Sequence, residues 1–125
     1  MEPSGPVERL TTYWEHLEND RFEEAAAQFS EDTTYLHPPS HQGITEVYGR
    51  QNLFEYFRDA RGPRESDHIV DRVVREGDSA VVLGRAVGPD IEGVHVFAVF
   101  VTAESGKIDY YHAVNREEPE GYSPP

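Results

Sequence analysis

The 125-residue chain predicts an α+β fold, with three N-terminal helices packed on a strongly curved, mixed, mainly antiparallel sheet. In the first half, apolar residues recur at helical spacing, whereas from His68 onward they alternate with period two between short turn signals. One of the later strands is apolar on both faces, although an antiparallel strand in a small domain normally keeps one face wet. The length suits one domain over residues 7–116, with an N-terminal tail over 1–6 and a disordered acidic, Pro-rich tail over 117–125.

Val7, Leu10, Trp14 and Leu17 define the apolar stripe of the first helix, and Pro6 suits its first position. Asn19 and Asp20 end it. Asp20 with Glu23 reads as a capping box for a second helix, whose apolar face is Phe22, Ala25, Ala26 and Phe29. Thr33, Thr34 and Tyr35 favour a strand, which Pro38-Pro39 must end. A loop through Gly43 leads to a third helix from about Arg50 to Arg61, with Leu53, Phe54 and Phe57 inward, stopped by Gly62-Pro63.

Four strands are then predicted over 67–76, 79–87, 92–103 and 107–115, separated by Gly77-Asp78, Gly88-Pro89-Asp90 and Ser105-Gly106. The third carries Val94, Val96, Ala98 and Phe100 on one face and His95, Phe97, Val99 and Val101 on the other. Helices can cover only one side of the sheet. The other is expected to meet a second copy, giving a homodimer through the outer face of the sheet.

Composition narrows the function classes. The absence of cysteine excludes disulfides, thiol nucleophiles and thiolate metal sites. Twenty-four acidic residues against eleven basic ones give a net charge of −13, and Lys107 is the sole lysine. Nothing concentrates positive charge, so neither nucleic acid nor an anionic membrane is expected as a partner. Such a surface resembles those of cytoplasmic proteins in salt-accumulating microbes. The N-terminal residues lack the basic and apolar regions of a signal peptide. The longest apolar run, Val94 to Val101, is too short to span a bilayer. A cytoplasmic protein is expected.

Several segments resemble junctions of the NTF2-like superfamily, a cystatin-like cone. Phe29-Ser30-Glu31-Asp32-Thr33-Thr34-Tyr35 is similar to its helix-to-strand junction, and Tyr48 to Phe57 to its third helix. Gly77-Asp78-Ser79-Ala80 and Ser105-Gly106-Lys107-Ile108 are similar to two of its hairpins. Within the superfamily, the pattern resembles the SnoaL-like and ketosteroid isomerase-like group. The resemblance implies a helix-one tyrosine at Tyr13 and places His37, followed by Pro38, where the isomerases carry a catalytic aspartate. Their second oxyanion donor falls near Ala98, so one donor matches, the base is changed and the other donor is absent. Scytalone dehydratase, a relative that works with a histidine pair and tyrosines, is closer in residue type. The limonene epoxide hydrolases use Arg-x-Asp on a strand, but here Val87 follows Arg85 at the aspartate's place, which argues against epoxide opening.

The candidate catalytic residues are His37 as general base, Tyr13 as oxyanion donor and His112 as accessory acid or base. Each has a plainer reading. His37 suits a solvated strand end, and Tyr13 suits the core. His112 depends on strand register: Ile108, Tyr110, His112 and Val114 alternate onto one face, taken to be the helix-facing one, leaving Asp109, Tyr111 and Ala113 for the partner. Trp14, Tyr35, Tyr48, Tyr56, Arg85, Ala98 and Tyr110 are the candidate ligand-binding residues. Arg85 would anchor a carboxylate or else lie at the rim. His68, His16 and the Arg58, Arg61 and Arg64 group are expected to be solvated. His37 and His41 cannot share a helix across Pro38-Pro39, so no metal is expected, and no cofactor. The expectation is a small apolar ligand and proton transfer beside a carbonyl or hydroxyl (isomerisation, cyclisation or dehydration). The alternative is a non-catalytic ligand-binding or interaction module.

Overall fold

The computed structural model describes residues 5–38, 43–61, 67–88 and 94–118. The chain begins with α1 (Pro6–Glu18), α2 (Phe22–Ala26), β1 (Phe29–Leu36), β2 (Glu46–Tyr48) and α3 (Arg50–Glu55). A π-helical turn (Tyr56–Arg61) continues α3 and leads to β3 (Asp67–Glu76), β4 (Ser79–Val87), β5 (Val94–Thr102) and β6 (Ile108–Glu118). The six strands form one sheet in the order β2-β1-β6-β5-β4-β3. β1 and β6 pair in parallel, and the other neighbours pair antiparallel. This is the expected α+β architecture, with helices on one face of a mixed, mainly antiparallel sheet.

α1 starts where Pro6 occupies the first turn and the Gly5 N–H donates to Glu8 Oε1 at 3.1 Å. Leu10, Tyr13, Trp14 and Leu17 lie on one face at i, i+3, i+4 and i+7, and all are buried. Side chains of this size each contribute about 1.5–3 kcal/mol on burial, which fixes the helix against the sheet. The helix is tied a second time through Arg9, which donates from Nε to the Gly106 carbonyl (2.8 Å) and from Nη1 to Gln28 Oε1 (2.9 Å).

Several local expectations are corrected. Asp20 adopts a left-handed backbone (φ 57°) outside α2, and Arg21 is the N-cap residue, without a side-chain cap, so the Asp20–Glu23 capping box does not form. The third helix changes from α to π at Tyr56, which brings the consecutive residues Tyr56 and Phe57 both into the interior. β2 lies within the stretch read as loop. It pairs with the end of β1, and Gly49 (φ 88°) turns the chain into α3 while its N–H donates to the Thr33 carbonyl. β6 continues to Glu118, past Arg116.

The sheet is built as expected around β5. Val99 and Val101 face the helices and are buried, while Phe100 is 40% exposed on the outer face. Cross-strand pairs carry that outer face through Val74, Val81, Phe100 and His112, and through Arg72, Leu83, Ala98 and Val114. A bulge at Asp71 interrupts the β3–β4 register between Val70 and Arg72 and turns the Asp71 carboxylate onto Arg85. Gly84 sits under the Ile69 carbonyl and the Phe97 ring, where no Cβ would fit.

The facing of β6 differs from expectation. Ile108 is buried, and so is Tyr111, three residues on, while His112 and Val114 are exposed. The β1–β6 pairing shifts register between Phe29 and Thr34, so strict period-two counting from Ile108 fails after one step. Tyr111 and Ala113 therefore face the helices, and Tyr110 and His112 take the outer face.

Candidate functional site

In the parallel β1–β6 pairing the last residue of β1, Leu36, lies level with His112, and β6 runs on to Glu118. The antiparallel ladder carries that end of β6 to the start of β5, the end of β4 and the start of β3. His68, near the start of β3, lies at that end, level with Ala86, His95 and Glu117, whereas His37 follows Leu36, which is level with His112, Phe100, Val81 and Val74. Both rings contact residues of the helix-facing interior.

Tyr13 and Tyr35 meet in that interior, with their hydroxyl oxygens 2.8 Å apart in a buried hydrogen bond that either can donate. Period-two alternation places Thr33, Tyr35 and His37 on the same side of β1, since Thr33 and Tyr35 are buried. The His37 ring lies 5.0 Å from Tyr35 and 5.0 Å from Tyr56 (centroid to centroid), and the His37 backbone N–H donates to the Thr45 carbonyl. Tyr35 stacks on Tyr111 at 4.4 Å, and Tyr13 stacks on Phe57 at 5.5 Å with its edge toward Phe29. The floor beneath His37 is thus a continuous set of rings. Burial, together with the neighbouring phenols of Tyr13, Tyr111 and Tyr56, raises the Tyr35 pKa well above the usual tyrosine value. Its hydroxyl is a neutral donor at any physiological pH, as an oxyanion-binding group must be.

Trp14, expected in the pocket, packs in the core with its ring stacked on His68 at 4.6 Å and 2°. His68 was expected in solvent. Its Nδ1 instead lies 2.8 Å from Glu18 Oε2, and its backbone N–H donates to the same oxygen at 2.7 Å. A signal for this was present: Trp14 and Glu18 are four apart on α1, and His68 opens a strand. Sequence spacing alone could not join them across 50 residues. His16 accepts from Arg21 Nε through Nδ1 at 2.9 Å. Arg58 lies over the Phe54 ring and pairs with Asp59, while Arg64 and His41 fall outside the described residues.

Other candidates are not brought to this interior. His112 is exposed on the outer face, paired across the ladder with Phe100, so it does not converge with Tyr13 and His37. Tyr110 lies on the same outer face with its ring against Phe100. Tyr48 is 55% exposed and donates to Glu46. Arg85 forms a two-point ion pair with Asp71 (2.8 Å from both Nε and Nη2) rather than reaching into the cone. Ala98 lies on the outer face with Arg85. There a groove of about 300 Å³ is lined by Leu83, Val96, Ala98 and Val114, with Asp71 and Arg116 at its edges.

These features define a cone-type α+β protein whose helix-facing interior is aromatic, with the imidazoles of His37 and His68 packed against its rings. The chain belongs to the SnoaL-like domain family, whose profile matches residues 10–111. A structural neighbour is a provisionally assigned ketosteroid isomerase from Kribbella flavida DSM 17836. It is 25% identical, with a TM-score of 0.66 over 94% of this chain and 79% of that one. An NTF2-like protein of unknown function from Cytophaga hutchinsonii is 13% identical, with a TM-score of 0.69 over 93% and 95% of the two chains. An LEH-like epoxide hydrolase from M. tuberculosis is 12% identical, with a TM-score of 0.69 over 88% and 81%. The latter two likenesses are of fold alone. No curated protein matches by sequence.

Proposed function

We propose that the cone receives a small, largely apolar ligand bearing a carbonyl or hydroxyl group, and moves a proton beside that group without a cofactor. The observation that carries this reading is the chain Tyr13–Tyr35–His37: a buried hydroxyl pair at 2.8 Å with an imidazole packed on its outer ring. His37 is the base. The Tyr13–Tyr35 pair offers a neutral O–H to the oxygen on which negative charge develops. His112 has no part in this arrangement, because it faces the other side of the sheet.

A second reading, a non-catalytic binding module, is favoured by the packing itself. Tyr13, Phe29 and Phe57 are essentially inaccessible, so the ring floor is a filled core. The two readings separate by NMR, following α-proton exchange of small cyclic ketones in D₂O. Proton transfer at His37 predicts exchange accelerated by the protein and reduced about 10²–10⁴-fold in His37→Ala. Binding without exchange supports the module, and exchange unchanged in His37→Ala removes His37 from the chemistry.

We also propose that two copies associate through the outer face. The support is its row of large apolar side chains, of which Val74 (60%), Phe100 (40%) and Val114 (54%) stay exposed in the single chain. Sedimentation equilibrium should then give twice the 14.2 kDa chain mass at moderate salt, falling to one in Phe100→Glu. A wild-type monomer refutes this. No described helix is long and apolar enough to cross a membrane. The acidic composition supports work in a salt-rich cytoplasm, where counterions screen the −13 charge.

A further inference from the structure

We infer that Glu18 and His68 form a second polar anchor of the cone, across from His37, which takes a hydroxyl group of the bound ligand. This rests on the small-ligand reading above and sharpens its ligand class: an apolar body carrying two oxygen functions.

The dyad is held from four directions. Glu18 ends α1, and its Oε2 accepts from the His68 backbone N–H at 2.7 Å, which fixes the carboxylate. The same oxygen lies 2.8 Å from Nδ1. An ionised carboxylate only accepts, so Nδ1 carries the proton and the lone pair of the neutral ring is on Nε2 (a tautomer assigned from the hydrogen-bond network). The flat face of the ring lies on Trp14, 4.6 Å away and 2° from parallel. Phe97 meets it at 5.7 Å with an angle of 66°. His68 Nε2 makes no hydrogen bond to any described residue. Both side chains keep just under a fifth of their surface, 18% for His68 and 19% for Glu18.

A surface ion pair requires none of this orientation, because flexible side chains satisfy it equally well. Clamping an imidazole by a carboxylate at one nitrogen and by two rings fixes where the other nitrogen points. Nε2 thus accepts from a ligand O–H. The partners also place the dyad. Trp14, Phe97 and the cross-strand neighbour Ala86 set His68 on the helix-facing side, the side on which His37 packs against Tyr35. β1 and β3 are separated by β6, β5 and β4, so the two imidazoles stand on opposite margins. A ligand reaching both needs polar groups at its two ends.

The test compares 2-naphthol with 2,7-dihydroxynaphthalene by fluorescence titration, in the wild type and in His68→Phe, which keeps the stacking on Trp14. The second hydroxyl should tighten wild-type binding about fivefold to tenfold, as one added hydrogen bond does, and the gain should vanish in His68→Phe. In the wild type itself, the diol should shift the His68 imidazole nitrogens in long-range ¹H–¹⁵N spectra. That measurement stands even if the variant does not fold. Binding of both naphthols with equal affinity and unmoved His68 resonances overturns the dyad while leaving the pocket intact. Failure of both to bind overturns the pocket and the dyad together.

Discussion

The Tyr13–Tyr35 hydrogen bond sets a measurable energetic signature. Tyr13 is 1% exposed and Tyr35 5%, and the Tyr35 hydroxyl has Tyr13 as its described partner. Tyr13→Phe leaves a phenolic O–H buried without that partner, which costs about 1–3 kcal/mol. Tyr35→Phe removes the same hydrogen bond from the Tyr13 side. The double variant removes both polar groups while keeping both rings, so its cost should fall below the sum of the singles by about 1 kcal/mol or more. For a domain of this size, 1 kcal/mol moves the melting temperature by about 4 °C. Each single variant should therefore melt about 4–12 °C lower, and the double variant should melt well above the additive expectation. Circular dichroism melts and urea titrations at fixed salt give the four corners of the cycle. Additivity within about 0.5 kcal/mol would refute the reasoning, since it would mean that the two hydroxyls do not interact in solution.

Two further outcomes follow from the same packing. The Tyr35 phenol is raised above its usual value of 10 by burial, whereas the unfolded phenol titrates near 10. Its contribution is fully present below pH 10 and is lost as pH rises beyond it, because the unfolded chain releases a proton that the folded chain retains. Alkaline unfolding followed by tyrosinate absorbance should therefore be cooperative and become shallower in Tyr35→Phe. Gradual ionisation of Tyr35 in the folded protein would contradict this. Gly84→Ala would push a Cβ against the Ile69 carbonyl and within 2.6 Å of Phe97 Cζ, and backbone cannot yield as a side chain does. The urea midpoint should drop by an amount equivalent to about 1–3 kcal/mol with the slope unchanged, and an unshifted midpoint would place β3 farther from β4 than the ladder shows.

Much of the fold was legible because its signals are local. The stripe Leu10, Trp14, Leu17 needs only helical spacing, and Gly77-Asp78 and Ser105-Gly106 announce turns by composition alone. β3 and β4 begin and end where turn residues and period-two runs place them. β2 was missed because Glu46-Val47-Tyr48 is too short to show a period. Its existence depends on the edge of β1, which no local signal reveals. The π turn was missed for a related reason: Tyr56 and Phe57 are both apolar, and sequence does not say that both must point inward.

The site divided along the same line between local and non-local information. Tyr13 and His37 were named from the resemblance to the ketosteroid isomerase-like group, and the structure brings both against Tyr35. His112 was assigned by counting outward from Ile108, and one shift in the β1–β6 pairing sent it to the opposite face. Period two has no tolerance for an inserted residue, so an error of one moved Tyr110 and His112 out and Tyr111 in. His68 fails in the reverse sense. A histidine at the start of a strand looks solvated until α1 is laid across it, and only then do Trp14 and Glu18 become its floor and its partner. Histidines at strand ends on the closed-over face of such a sheet therefore carry information that neither charge nor alternation records. Their orientation is set by whichever helix crosses that end, so in this chain the most informative residue for His68 is Glu18.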